Sequence, residues 1–196
     1  MSEMKIKDGS GKNKLAIVDS TQRLYTRSVS EDEWKEATIN GDHYAVTSGA
    51  ITLTSANLSA MLYFKNNEEE DLLIDRIVFN SDDSTGGTVD QFVFTMVKNP
   101  DGLGSGSGND ATIVNTNFAS PKTLDIISEK GQEAATVTNG TTIAGWRIEN
   151  PTRMRVVNVR LIMPKGSSIA FTVTPPASNT SMVAVVACNV HKIKTL

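Results

Sequence analysis

Four consecutive acids, Glu68-Glu69-Glu70-Asp71, sit between two apolar runs in MLYFKNNEEEDLLIDRIVFN, Met61 to Asn80. Side chains of this type serve calcium ligation or general acid–base catalysis. A calcium loop needs oxygen ligands at spaced positions around a sharp-turn glycine, as in D-x-[DN]-x-[DN]-G, whereas four adjacent acids splay or alternate in direction. Asn66 and Asn67 precede them, and Asn tolerates left-handed turn conformations. The stretch therefore reads as a solvated connection between strands, with no metal and no catalytic role.

The remaining reactive residue types give the same answer. Cys188 is the sole cysteine, so internal disulfides and multi-cysteine zinc clusters are excluded. It lies in the apolar run MVAVVACNVHKI, as a buried core thiol would. His191, three positions on, falls on the opposite face of a strand and cannot form a thiolate dyad with it. His43 and His191, the only histidines, are far apart in sequence and lack a second ligand at i+2 or i+4, so both read as structural. Gly102 to Gly108, GLGSGSG, lacks G-x-G-x-x-G spacing and joins two strand-like pieces, so it reads as a flexible loop rather than a phosphate cradle. No serine stands in a G-x-S-x-G elbow, and SDDSTGG at 81–87 reads as a turn. No catalytic residue, cofactor site or metal site is expected.

The elements around these residues are strands. A chain of 196 residues is long enough for one large all-β domain with a real core, and 39% hydrophobic with 21% charged content is that of an ordinary globular protein. From Tyr44 onward ten short strands are separated by Gly, Ser, Asn and Pro: YAVT, AITLTS, MLYFK, LLIDRIVF, DQFVFTMVK, ATIVN, TIAGWRI, MRVVNVRLIM, SIAFTVTP and MVAVVACNV. That spacing predicts an all-β chain forming a single β-sandwich or jelly-roll-like body over residues 41–196. Alternation puts Phe92, Phe94 and Met96 on one face opposite Gln91 and Thr95. It likewise sets Ile169, Phe171 and Val173 against Ser168 and Thr172, so both strands are expected to be one-sided. The last strand is apolar on both faces, with Val183, Val185 and Ala187 opposite Met182, Ala184, Val186, Cys188 and Val190, as a central or subunit-covered strand would be.

Residues 1–40 read as an extended arm carrying a short helix near 30–37, where Ser30 and Glu33 form a capping box. Two turns are marginal alone, so Trp34 is expected to pack against something. Net charge is +3 over residues 1–30, −7 over 31–80 and +1 over 81–196. The basic arm is too sparse, and too poor in interleaved aromatics, to predict nucleic-acid binding. No apolar run is long enough to span a bilayer and the N-terminus has no secretory h-region, which predicts a protein made in a cytoplasm, without membrane association.

Three segments, KIKDGSGKNKLAIVDSTQRLYTRSVSEDE, LYFKNNEEEDLLID and LIMPKGSSIAFTVTPPASNTSMVAVVACNVHK, together resemble virion structural proteins of tailed bacteriophages. The resemblance implies a β-sandwich or jelly-roll subunit displayed on the particle, commonly as a symmetric oligomer, with no catalytic residues and no cofactor. The expected function is that of a non-enzymatic capsid decoration or auxiliary protein, assembled in the bacterial host cytoplasm and residing in the virion. Its partners would be itself, as a homo-oligomer with a trimer favoured, and the major capsid protein or other virion proteins. The alternative is a tail, baseplate or head-fibre component that binds a receptor or carbohydrate. Assembly contacts are expected from Leu15, Ile17, Leu24, Tyr25 and Trp34 on the arm and from Val183 and Val185 on the last strand.

Overall fold

The computed structural model describes residues 33–83, 92–104, 109–148, 154–177 and 181–193. Leu15, Ile17, Leu24 and Tyr25, the capping residue Ser30 and the basic arm lie outside the described residues. Within them the chain forms α1 (Glu33–Asn40), β1 (His43–Thr47), β2 (Ile51–Leu53), β3 (Ser59–Asn66), β4 (Asp71–Asp83), β5 (Phe92–Lys98) and β6 (Gly102–Leu103). There follow β7 (Thr112–Asn115), β8 (Ile126–Lys130), β9 (Val137–Thr138), β10 (Thr141–Ile148), β11 (Arg155–Met163), β12 (Ser168–Thr174) and β13 (Met182–Ile193). All ten strands expected from alternation are present. Of the additional ones, β6 and β9 are too short for a period of two to register, and β8, IISEK, does not alternate. None of the described helices is long and apolar enough to cross a membrane.

Pairing is antiparallel throughout. The first sheet runs β11-β4-β13-β1-β7, with β2 beside one end of β13, and the second runs β10-β5-β12-β3-β8. Taking β1, β3, β4, β5, β10, β11, β12 and β13 as the main strands, first pairs with last, second with seventh, third with sixth and fourth with fifth. That nested pairing is a jelly roll. The segment between β5 and β10 adds β7 to the free edge of β1 and β8 to that of β3, widening both sheets.

The core lies between the sheets. Phe79 of the first sheet meets Phe94, Trp146 and Phe171 of the second at ring-centroid distances of 4.6, 5.1 and 6.2 Å. Tilted and edge contacts of this kind add about 0.5–1.5 kcal/mol per pair beyond area burial. Phe92, Phe94 and Met96 are buried together, and so are Met182, Ala184, Val186, Cys188 and Val190, as alternation requires.

Four local expectations need correction. β12 is buried on both faces, Ser168 and Thr172 included, because the β6–β9 pair brings Leu103 and Val137 over Tyr63, Val97 and Ala170 on the outside of the second sheet. Ser81 to Asp83 are not a turn: β4 continues through them, paired with Met182 to Ala184. Gly102 and Leu103 are not loop either, since they pair with Thr138 and Val137, while residues 105–108 lie outside the described set. The helix runs further than its capping box implies, its described part covering Glu33–Asn40 and so ending beyond Ala37, while residues 30–32 lie outside the described set.

Candidate functional site

The outer face of the first sheet carries two features, and the first comes from strand register. β1 and β13, the first and last main strands, pair with His43 directly opposite His191. On β13's other side Asn189 pairs with Arg76 but Val190 pairs with Ile74, so β4 has a bulge at Asp75. Ile74 and Ile77 are both fully buried inward, which leaves Asp75 and Arg76 together on the outer face. The bulge thus re-aims Asp75 toward the two histidines.

α1 lies over this end of the sheet, packed on β1 and β13. It stops in a Schellman motif, with Asp42 N–H donating to the Ala37 carbonyl and Gly41 N–H to that of Thr38. Asn117 donates to the Ile39 carbonyl and Asn115 to that of Gly41, tying the helix end to the loop after β7. That loop also delivers Thr116. Between helix and sheet is a cleft of about 430 Å³ lined by Trp34, Thr38, His43, Asp75, Thr116 and Asn189, among others.

Beneath the helix the polar groups converge. The Thr116 hydroxyl donates to the His43 carbonyl at 3.1 Å, so its oxygen accepts from His43 Nδ1 at 2.8 Å. Nδ1 is therefore the donor in this hydrogen bond. His43 Nε2 is 3.5 Å from Asp75 Oδ2, and His191 Nδ1 is 3.6 Å from the same oxygen. His191 Nε2 stands 3.9 Å from Glu33 Oε1 on α1. These separations exceed hydrogen-bond reach. Accordingly His43 Nε2, both His191 nitrogens and Asp75 Oδ1 are buried with no hydrogen-bond partner among the described residues. Burial pushes the Asp75 carboxyl upward, but its polar and charge interactions with His191 and His43 outweigh that and hold it well below the usual carboxylate range. The anionic oxygen and the two imidazoles form a three-donor set whose atoms all lie within 4.8 Å of one another.

Local spacing misses this cluster because its members meet only through register. One signal was present: adjacent Asp75-Arg76 inside LLIDRIVF breaks the period of two, as a bulge does.

The second feature is apolar. Across the outer face, Ala187 pairs with Val78 and Val78 with Val156. Val183 and Val185 continue the line along β13. These two expected interface residues are half-buried, as are Val78 and Ala187, while Val156 and Ile162 on β11 are exposed. Trp34 is 51% exposed on α1 at the lip of the cleft rather than packed away.

Among the acids, the solvated-turn reading holds for Glu69 and fails for Glu68. Asn66 is fully buried, its amide donating to the Glu70 and Met163 carbonyls while its Oδ1 accepts the Glu68 N–H. This turn points Glu68 inward, where Oε1 accepts the Asp125 N–H at 2.7 Å and pairs with Lys192 at 2.7 Å. Cys188 faces the core, fully buried, and burial together with the Asp75 charge pushes its thiol up, away from any nucleophilic role. Set against known proteins, the chain matches no family model and no curated protein sequence.

Proposed function

We propose that this chain is a non-enzymatic structural subunit of a tailed-phage virion, a capsid decoration or auxiliary protein that coats or stabilises the particle by assembling as a homo-oligomer, three subunits being favoured. The observation that supports it is the apolar line Val183, Val185, Ala187, Val78 and Val156 on the outside of the first sheet, running toward edge strand β11. A sheet face of this composition gains free energy by burial against a neighbour, and closed symmetric rings bury such faces without open edges. The phage-like segments at both ends and in the middle of the chain supply the class of particle.

Light scattering on purified protein tests the reading. The expected mass is a multiple of the 21.1 kDa chain, threefold for a trimer. Val185→Lys should dissociate the assembly while leaving its far-ultraviolet circular dichroism unchanged. A single 21.1 kDa species at micromolar concentration removes the support from the apolar line. Selective signals on a glycan array would move the protein to a tail, baseplate or fibre tip.

A further inference from the structure

We propose that His43, Asp75 and His191 form a binding site for a divalent transition metal of the zinc type, seated under α1 and joining β1, β4 and β13. The ligand atoms would be His43 Nε2, His191 Nδ1 and Asp75 Oδ2, the three that face one another. With metal–ligand bonds of about 2.0–2.1 Å, the edge of a tetrahedral site is about 3.3 Å. The 3.5 and 3.6 Å separations from Asp75 to the two rings are close to that edge, and too long for the direct hydrogen bonds that would otherwise explain them.

The surroundings of each ring point the same way. A metal-bound histidine commonly donates its other N–H to an oxygen, which fixes its tautomer and orientation. His43 Nδ1 has Thr116 Oγ1 at 2.8 Å, and Thr116 is itself committed as a donor to the His43 carbonyl, so Nδ1 is the donor nitrogen and Nε2, facing Asp75, is the one placed to ligate. His191 Nε2 has Glu33 Oε1 nearby at 3.9 Å, within reach of a small side-chain rotation. With both outer nitrogens protonated, three lone pairs converge on one point: a cation there bonds His43 Nε2 and His191 Nδ1, two of the four atoms otherwise buried alone, and leaves His191 Nε2 to Glu33 and Asp75 Oδ1 to a second bond to the ion or to a water. The donor set selects the ion: two imidazoles and one carboxylate suit zinc, cobalt or nickel, whereas calcium and magnesium require shells of oxygen. The cleft on the α1 side supplies room for a water as fourth ligand.

Such an ion clamps the first, third and last main strands of the jelly roll at one end of the sheet and, through Glu33, seats the helix. The test uses the full chain, stripped with a chelator and titrated with zinc chloride by calorimetry and thermal melting. Cobalt serves as a visible-absorption reporter of ligand geometry. Expected are one ion per chain and a melting rise of about 5 °C or more at roughly a hundredfold excess over Kd. Asp75→Asn and His43→Gln should each weaken binding by well over about tenfold, and Thr116→Val, which removes no ligand, by about ten- to a hundredfold. The metal-free variants' own melts establish that they are folded, and Thr116→Val carries the test if a ligand variant is not. Binding that is equally tight in Asp75→Asn and Thr116→Val would place the ion elsewhere and overturn the proposal. So would a melting point that follows pH across the imidazole range and ignores zinc, which would assign the cluster to protons.

Discussion

Glu68 and Glu69 are adjacent and identical in type, yet their surroundings set different energetic roles. The Glu68 side chain is 11% exposed, with a backbone N–H and the largely buried Lys192 as partners; Glu69 pairs with Lys165 at 84% exposure. Removing one partner of a shielded, hydrogen-bonded charge strands the other, whereas exposed pairs are screened and contribute little. Glu68→Gln should therefore lower unfolding stability by about 1–2 kcal/mol, and Glu69→Gln by no more than about 0.5 kcal/mol, in urea titrations at neutral pH. Tyr44 carries the clearest pH signature. Its hydroxyl donates to the Thr123 carbonyl at 3.1 Å, and burial, with the charges of Asp42 and Glu68, pushes the phenol up to about 12. A folded pKa above the unfolded value of about 10 means that the native state favours the neutral phenol. Its contribution is complete below pH ~10 and is lost as pH rises through ~12. Tyr44→Phe should flatten the stability-versus-pH curve across that window, with little change in its shape between pH 6 and 8. An equally steep alkaline loss in the variant would assign the effect to other groups.

Elements in this fold are placed by features that a propensity reading weighs differently. A Ser–Glu spacing marks a helix start from residue 30, but the helix end is set by Gly41, whose φ of 72° is left-handed and supplies the Schellman turn. A Cβ at Gly41 would also clash with the Ser120 side chain in the loop that ties down the helix. Gly41→Ala should then cost about 1–3 kcal/mol, from both the positive φ and the clash, and should raise amide exchange in α1 and residues 115–122 before the sheets are affected. Uniform loss of protection would show instead that helix and sheets open as one unit. The same difference in scale explains β12. Its sequence SIAFTVT alternates like a one-sided strand, yet Ala170 and Thr172 are small enough to lie beneath a second layer, and the Thr172 hydroxyl hydrogen-bonds to that of Thr95. The two-residue strands that complete that layer have no period to read.

At the scale of the whole molecule, alternation and turn chemistry carry the all-β class and the ten strands, because each strand's buried face is written in its own residues. Pairing order is not local, and the His43–Asp75–His191 cluster depends on it: three residues from the first, third and last main strands meet only when β13 lies between β1 and β4. Nested pairing also bears on the N-terminal arm. Every main strand finds its partners within residues 43–193, so the jelly roll's hydrogen-bond ladders close without residues 1–28. Those residues hold six Lys and Arg, namely Lys5, Lys7, Lys12, Lys14, Arg23 and Arg27, together with Leu15, Ile17, Leu24 and Tyr25, so a single deletion removes the basic charge and the apolar contacts expected to bind a neighbour. A chain starting at residue 29 should unfold cooperatively, with a melting point close to that of the full chain, while attaching poorly to particles that lack the protein. Co-sedimentation with such particles, run beside the thermal melt, separates the two properties. Normal attachment would move the assembly role to the Val183 and Val185 face; loss of the cooperative melt would make the arm part of the body, because a jelly roll complete in its pairing has no other reason to require it.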